Sequence, residues 1–271
     1  MTRHPYRSGM DFHVLGPLRA SRDGVDLEVR GAKERTLLAH LVAYAGQVVP
    51  SAALIESLWG EDPPRSAAKS LQTYVLRLRN SLEPDRDGNP RLLLTDAGGY
   101  QLAISPSDTD AGRFERLAEL ADQALAGGRP DAAVEASRDA LDLWRGEAYS
   151  GCEDTAFGRA EARRLGELRL LVVETRAEAQ LALGRESAVA PELERRVGEQ
   201  PLRERLWELL MLAYYRSGQQ AQALGTFDRV RQVLADELGV DPGPGLRELH
   251  ARILRQDPTL QLARRRVTIP S

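Results

Sequence analysis

The sequence predicts a mainly α chain in two parts: an N-terminal winged helix-turn-helix of α+β type over residues 1–105, and an all-α, tetratricopeptide-like helical repeat over residues 106–271. Three observations carry this. Between Phe12 and Ile104 the order of signals is strands, three helices, then a hairpin. From Ala111 onward apolar residues recur at helical spacing almost to the end. Within that stretch Gly184-Arg185 and Gly218-Gln219 lie 34 residues apart, the tetratricopeptide period. A length of 271 residues also exceeds the usual single domain.

Residues 1–10 show no periodicity and read as a loose tail, and Met10 stands close enough to the first strand to be an alternative start. Phe12 and Val14, then Val25, Leu27 and Val29 beyond an Asp23-Gly24 turn, alternate at period two as a half-buried sheet does. The first helix buries Leu37, Leu38, Leu41, Val42 and Ala45 and stops at Gly46. Ser51 is placed to cap a short second helix with Leu54, Ile55, Leu58 and Trp59 facing inward, closed by Gly60.

The third helix is expected over Pro64 to Leu82, with Asp62 as cap and Pro63 or Pro64 in its first turn. Leu71, Tyr74, Val75, Leu78 and Leu82 line one face. Ser66, Lys69, Ser70, Thr73 and Arg77 fall opposite, and nothing from Arg65 to Leu82 is acidic. Cations, hydroxyls and an amide without carboxylates suit phosphates and base edges. An ordinary solvated basic face remains the alternative on this helix alone. Asp87-Gly88-Asn89-Pro90 then breaks the chain, and RLLLT and YQLAI flank a glycine-turned hairpin at Asp96 to Gly99, which makes a wing.

In the second part, Trp207, Leu210, Tyr214, Ala223 and Phe227 fall on repeat signature positions around Gly218. Weaker copies centre on Gly184, with Val189, Leu193 and Pro201, and on Gly128, with Leu117, Ala121, Ala133 and Ala140. Trp144 to Gly158 interrupts the period as a longer loop. Trp207, Tyr214 and Phe227 read as repeat core, and Trp59 as the lock between the second and third helices.

Composition narrows the function. The first 105 residues hold 13 Lys and Arg against 12 Asp and Glu, the remainder 24 against 28, and the net charge is −3. Basic character is therefore local to particular faces, as in a sequence-specific reader, and a membrane-surface or coating protein fits poorly. Cys152 is the single cysteine, so no intrachain disulfide forms and a cytoplasmic location is expected. No run approaches the roughly 18 apolar residues of a membrane span. No glycine precedes either lysine in a phosphate-binding loop. His4, His13, His40 and His250 lack metal-ligand spacing, and His40 reads as a partly buried or surface imidazole. Glu153 and Asp154 beside Cys152 disfavour its thiolate. No enzyme, metal or cofactor is expected.

The succession FHVLGPLRA, KERTLLAHL, LIESLWGEDPPRSAAKSLQTYVLRLRNSLEP and LLLTDAGGYQL, followed by LDLWRG, LRERLWELLMLAYYRSGQQAQAL and LADELGVDPGPGLRELHARIL, resembles the Streptomyces antibiotic regulatory protein family over roughly residues 11–257. The resemblance implies an OmpR-like DNA-binding domain and a bacterial transcriptional activation domain. It further implies activation of antibiotic-biosynthesis genes through direct repeats in double-stranded DNA and contact with RNA polymerase holoenzyme; two protomers head to tail on the DNA are expected to read such repeats. Carried over residue by residue, Lys69, Thr73, Arg77 and Arg79 stand where the reading helix meets DNA, with Arg65 and Ser66 at its start. Lys33 and Arg35 would face phosphates, and Arg91 and Thr95 sit near the wing. Arg79 lies on the flank of the apolar stripe, where pairing with Glu83 competes with DNA contact. Two other readings stay open: an interaction scaffold, and the N-terminal part of a larger ligand-sensing ATPase regulator, with Arg264 to Arg266 as a disordered end or its stump.

Overall fold

The computed structural model describes residues 9–84 and 88–261, so the expectations for the extreme N-terminus, Asp87 and Arg264 to Arg266 fall outside the described residues. By internal contacts the chain forms two compact units, Met1–Glu119 with Asp139–Leu170, and Leu120–Arg138 with Leu171–Ser271.

The first unit opens with an antiparallel sheet in the order β1 (Met10–His13), β2 (Arg19–Arg22), β3 (Val25–Leu27). Arg22 pairs with Val25, so Asp23-Gly24 is the expected two-residue turn. The expected burial alternation holds for Phe12 and Val14 and fails at Val25, which is 68% exposed on the edge strand. Helix α1 (Ala32–Ala43) buries Leu37, Leu38, Leu41 and Val42. His40 is buried with them, stacked on Phe157 at 4.3 Å and 2.5 Å from Ser57 Oγ, and burial holds its imidazole down to about 4.

A strand not foreseen, β4 (Val48–Pro50), pairs with the last strand of a second sheet, β4-β6-β5. Three residues ending in proline carry too little periodicity to announce a strand. Helix α2 (Ser51–Trp59) takes Ser51 as its first residue rather than its cap; the Ser51 N–H bonds Gly98 O of the wing turn. Helix α3 (Ala67–Leu82) starts three residues later than expected. Residues preceding proline are disfavoured in the helical region, in keeping with Asp62 and Pro63 lying outside the helix, and a turn from Pro64 O to the Ala67 N–H leads in. Asp62 therefore caps nothing. Strands β5 (Leu93–Asp96) and β6 (Gly99–Leu102) form the wing around Ala97-Gly98.

The first sheet does not close on itself. Val14 and Leu15 donate their N–H groups to the carboxylate of Asp110, at 2.7 and 3.1 Å, and Asp110 is 1% exposed. Arg145 and Tyr149 donate back to Leu15 O and Val14 O at 2.8 and 2.7 Å. The expected loop after Trp144 is real, between α5 (Pro130–Leu141) and α6 (Ala156–Ala182), and it supplies these bonds. Asp110 opens α4 (Asp110–Ala126).

In the second unit, helices α7 (Glu186–Glu199), α8 (Glu204–Arg216), α9 (Gln220–Leu238) and α10 (Pro244–Leu254) continue the repeat. The predicted repeat glycines Gly128, Gly184 and Gly218 each end a helix at positive φ, 66, 73 and 77°. Each makes the same paired closure: Gly128 N–H to Leu125 O with Arg129 N–H to Ala124 O, and its counterparts at Leu181/Gln180 and Tyr215/Tyr214. This two-bond turn satisfies the last carbonyls of each helix, and only glycine takes its left-handed residue without strain. Trp207, Leu210, Ala223 and Phe227 are buried as expected. Tyr214 is half-buried instead, its hydroxyl donating to Glu194 at 2.7 Å, and the neighbouring Tyr215 is the buried ring.

Candidate nucleic-acid interface

Helix α3 offers the outward face that its sequence spacing foretold. Leu71, Val75, Leu78 and Leu82 are buried, while Arg65, Ser66, Lys69, Thr73 and Arg77 are all exposed. Gln72, Leu76 and Asn80 share that face, and Leu76 is 52% exposed in its centre. An outward leucine among polar residues was not singled out beforehand; its position one turn after Gln72 was the available signal. The face carries no carboxylate from Arg65 to Leu82, and the wing turn follows on β5 and β6.

The cations differ in how they are held. Arg65 and Lys69 have no described residue as an ion-pair or hydrogen-bond partner for their side chains. Thr73 Oγ1 donates back to Lys69 O at 3.1 Å, so its lone pairs still point outward. Arg77 donates from Nη1 to Glu34 Oε1 at 2.9 Å and lies 5.9 Å from the Tyr74 ring centroid. Arg79 donates to Leu93 O at 2.9 Å and to Thr95 Oγ1 at 2.7 Å, which braces the wing strand against α3. Arg35 donates to Arg30 O at 2.9 Å. Arg91 is exposed, with its backbone N–H bonded to Glu83 Oε1 at 3.0 Å.

Lys33 has a task inside the protein. Its ammonium donates to Leu58 O at the end of α2 and lies 5.6 Å from the Trp59 ring centroid. Trp59 in turn stacks on Tyr74 at 6.1 Å, which locks α2 to α3 as expected. A cation at a helix C-terminus satisfies orphan carbonyls and the dipole. Lys33→Ala is therefore expected to destabilise the first unit by about 0.5–1.5 kcal/mol. A thermal unfolding curve unchanged by the substitution would show the contact to be energetically idle.

Cys152 is buried, and its thiol is pushed up to about 11, by burial first and Glu153 second. The acids beside Cys152 are visible in the sequence; its burial, the larger cause, is not. Among the described residues no group of three or more His, Cys, Asp and Glu side chains converges as a metal site. No described helix is long and apolar enough to cross a membrane.

Residues 28–102 match the family described as transcriptional regulatory protein, C terminal, and residues 109–254 match the bacterial transcriptional activator domain. The regulatory protein DnrI of Streptomyces peucetius is 41% identical, covering 92% of this chain and 93% of its own length. The chain belongs to the Streptomyces antibiotic regulatory protein family. This family member is thus a transcriptional regulator with an OmpR-type DNA-binding domain ahead of a bacterial transcriptional activator domain. Regulatory protein AfsR of Streptomyces coelicolor is 43% identical over 92% of the chain, which spans only 24% of AfsR. A solved structure of Mycobacterium tuberculosis EmbR, in complex with a low-affinity phosphopeptide, superposes with a TM-score of 0.89 at 41% identity, covering 92% of this chain and 66% of that one.

Proposed function

We propose that this regulator is a sequence-specific activator of antibiotic or other secondary-metabolite biosynthesis genes, working in the cytoplasm. Residues 1–105 act as the DNA-binding domain and residues 106–271 as the activation domain that recruits RNA polymerase holoenzyme. Two protomers bind direct repeats head to tail, each placing α3 in a major groove. The observation that carries this is the outward face of α3, with Lys69, Thr73 and Arg77 exposed together on a helix without a carboxylate and Arg65 and Ser66 exposed in the turn that leads into it. Arg77 pairs with guanine O6 and N7, Leu76 meets a thymine methyl, and Lys69 and Arg65 engage phosphates or neighbouring base edges. Arg79 contributes through Thr95, keeping the wing against the backbone beside the groove. Arg35 and Arg91 add phosphate-facing charge, while Lys33 supports the end of α2.

Arg77→Ala is expected to cost on the order of 1–3 kcal/mol on the cognate site and to relax preference at one base pair per half-site. Binding to a randomised duplex library measures both. A uniform loss across all sequences would move Arg77 to the phosphates and leave base reading to Lys69 or Thr73. Selected sites should be direct repeats spaced by about one helical turn; an inverted repeat would require a two-fold dimer and overturn the head-to-tail arrangement.

A further inference from the structure

We propose that Glu34, on α1, is a positioning residue for base recognition: its carboxylate fixes the Arg77 guanidinium so that only a matching base pair can be bonded. The proposal rests on the reading of α3 given above and adds a residue that makes no contact with DNA itself. The two residues are 43 apart in sequence and meet across the groove between the start of α1 and the outer face of α3, with Nη1 to Oε1 at 2.9 Å. The pair is asymmetric: the Glu34 side chain is 10% exposed and that of Arg77 62%.

Glu34 is held rigidly. It is the third residue of α1, where a helix start attracts a carboxylate. Its carboxylate folds back over Gly31, so closely that a Cβ at position 31 would collide with it. Arg77 is held on a second side by Tyr74, whose ring is itself stacked on Trp59. A buried acid at one corner and an aromatic ring 5.9 Å away restrict where the guanidinium can lie. Of its five N–H donors the bond to Glu34 uses one, leaving a free edge for guanine O6 and N7.

Two consequences separate this arrangement from a surface ion pair. An arginine already fixed in one orientation loses little freedom on bonding the right base and cannot swing to a phosphate when the base is wrong. Glu34 also offsets the Arg77 charge, so Arg77 adds little to sequence-blind attraction. Breaking the tether reverses both effects.

The experiment compares wild type, Glu34→Gln, Arg77→Ala and the double variant on the selected duplex, on its single-base variants and on unrelated DNA, at several salt concentrations. Glu34→Gln is expected to reduce discrimination at the base pair read by Arg77 by about 3- to 10-fold. It should also tighten binding to unrelated DNA, with a salt dependence steeper by about one phosphate contact. In the Arg77→Ala background the same change should alter discrimination no further. Undiminished discrimination in Glu34→Gln, with discrimination lost in Arg77→Ala, overturns the role of Glu34 and leaves Arg77 as a base reader. Undiminished discrimination in Arg77→Ala removes the reading on which both rest. A parallel loss on every duplex, tracking a lowered melting temperature, marks Glu34 as structural only. Should Glu34→Gln fold poorly, guanidinium NMR of the wild-type protein decides: hindered rotation of Arg77 both free and on DNA is expected, and free rotation before DNA is added overturns the proposal.

Discussion

Trp207→Ala is expected to destabilise the helical repeat by about 3–5 kcal/mol. The indole is 3% exposed on α8, its N–H donates to Pro201 O at 2.9 Å, and the Arg229 guanidinium lies 5.2 Å from its ring centroid. Truncation therefore removes packing, leaves the Pro201 carbonyl without its donor, and strips Arg229 of the face it covers. Arg229 also binds Glu194, at 2.9 and 3.0 Å, and Glu194 receives the Tyr214 hydroxyl, so the disturbance reaches α7 and α9. Denaturant unfolding followed by circular dichroism measures the loss. An unmoved midpoint would mean that the indole spends its time in solvent.

Asp110→Ala is the second large effect, about 2–6 kcal/mol, because two buried N–H groups lose their acceptor at about 1–3 kcal/mol each. Those donors belong to Val14 and Leu15, and Arg145 Nη2 stands 3.4 Å from the same carboxylate, so a cation also loses its partner. Asp110→Asn keeps one oxygen acceptor and should cost less. Hydrogen exchange at the Val14 and Leu15 amides reports the site directly: both should become fast in the alanine variant. Continued protection with an unchanged unfolding midpoint would show that other acceptors take over.

These two sites differ in how far the sequence disclosed them. Trp207 announced itself through spacing, because a repeat writes its core at fixed intervals. The glycine turns and the Asp23-Gly24 and Ala97-Gly98 hairpins were legible for a similar reason: the chemistry of each turn is contained in a few adjacent residues. The outward face of α3 was legible because its residues are neighbours on one helix. Asp110 was not, since an aspartate opening a helix looks like an ordinary start until Val14 and Leu15 arrive from 96 and 95 residues away. Glu34 was hidden similarly, as one acid between Lys33 and Arg35 whose partner lies on another helix. Tyr74 was assigned to the apolar stripe, yet it is half-buried and supports Arg77. The proposed division of labour at residue 105 follows the order of signals along the chain, whereas a fragment ending there would leave Val14 and Leu15 without their acceptor.

The borrowed hydrogen bonds of β1 also bear on the order of events during synthesis. A chain elongating at about 5–20 residues per second delivers Asp110 roughly 5–20 s after Val14, and the loop at Arg145 and Tyr149 later still. For that interval the first sheet can form its own hairpin, yet Val14 and Leu15 remain an open edge facing the ribosome, chaperones and other nascent chains. Translational pausing before Tyr149 has emerged would prolong this exposure.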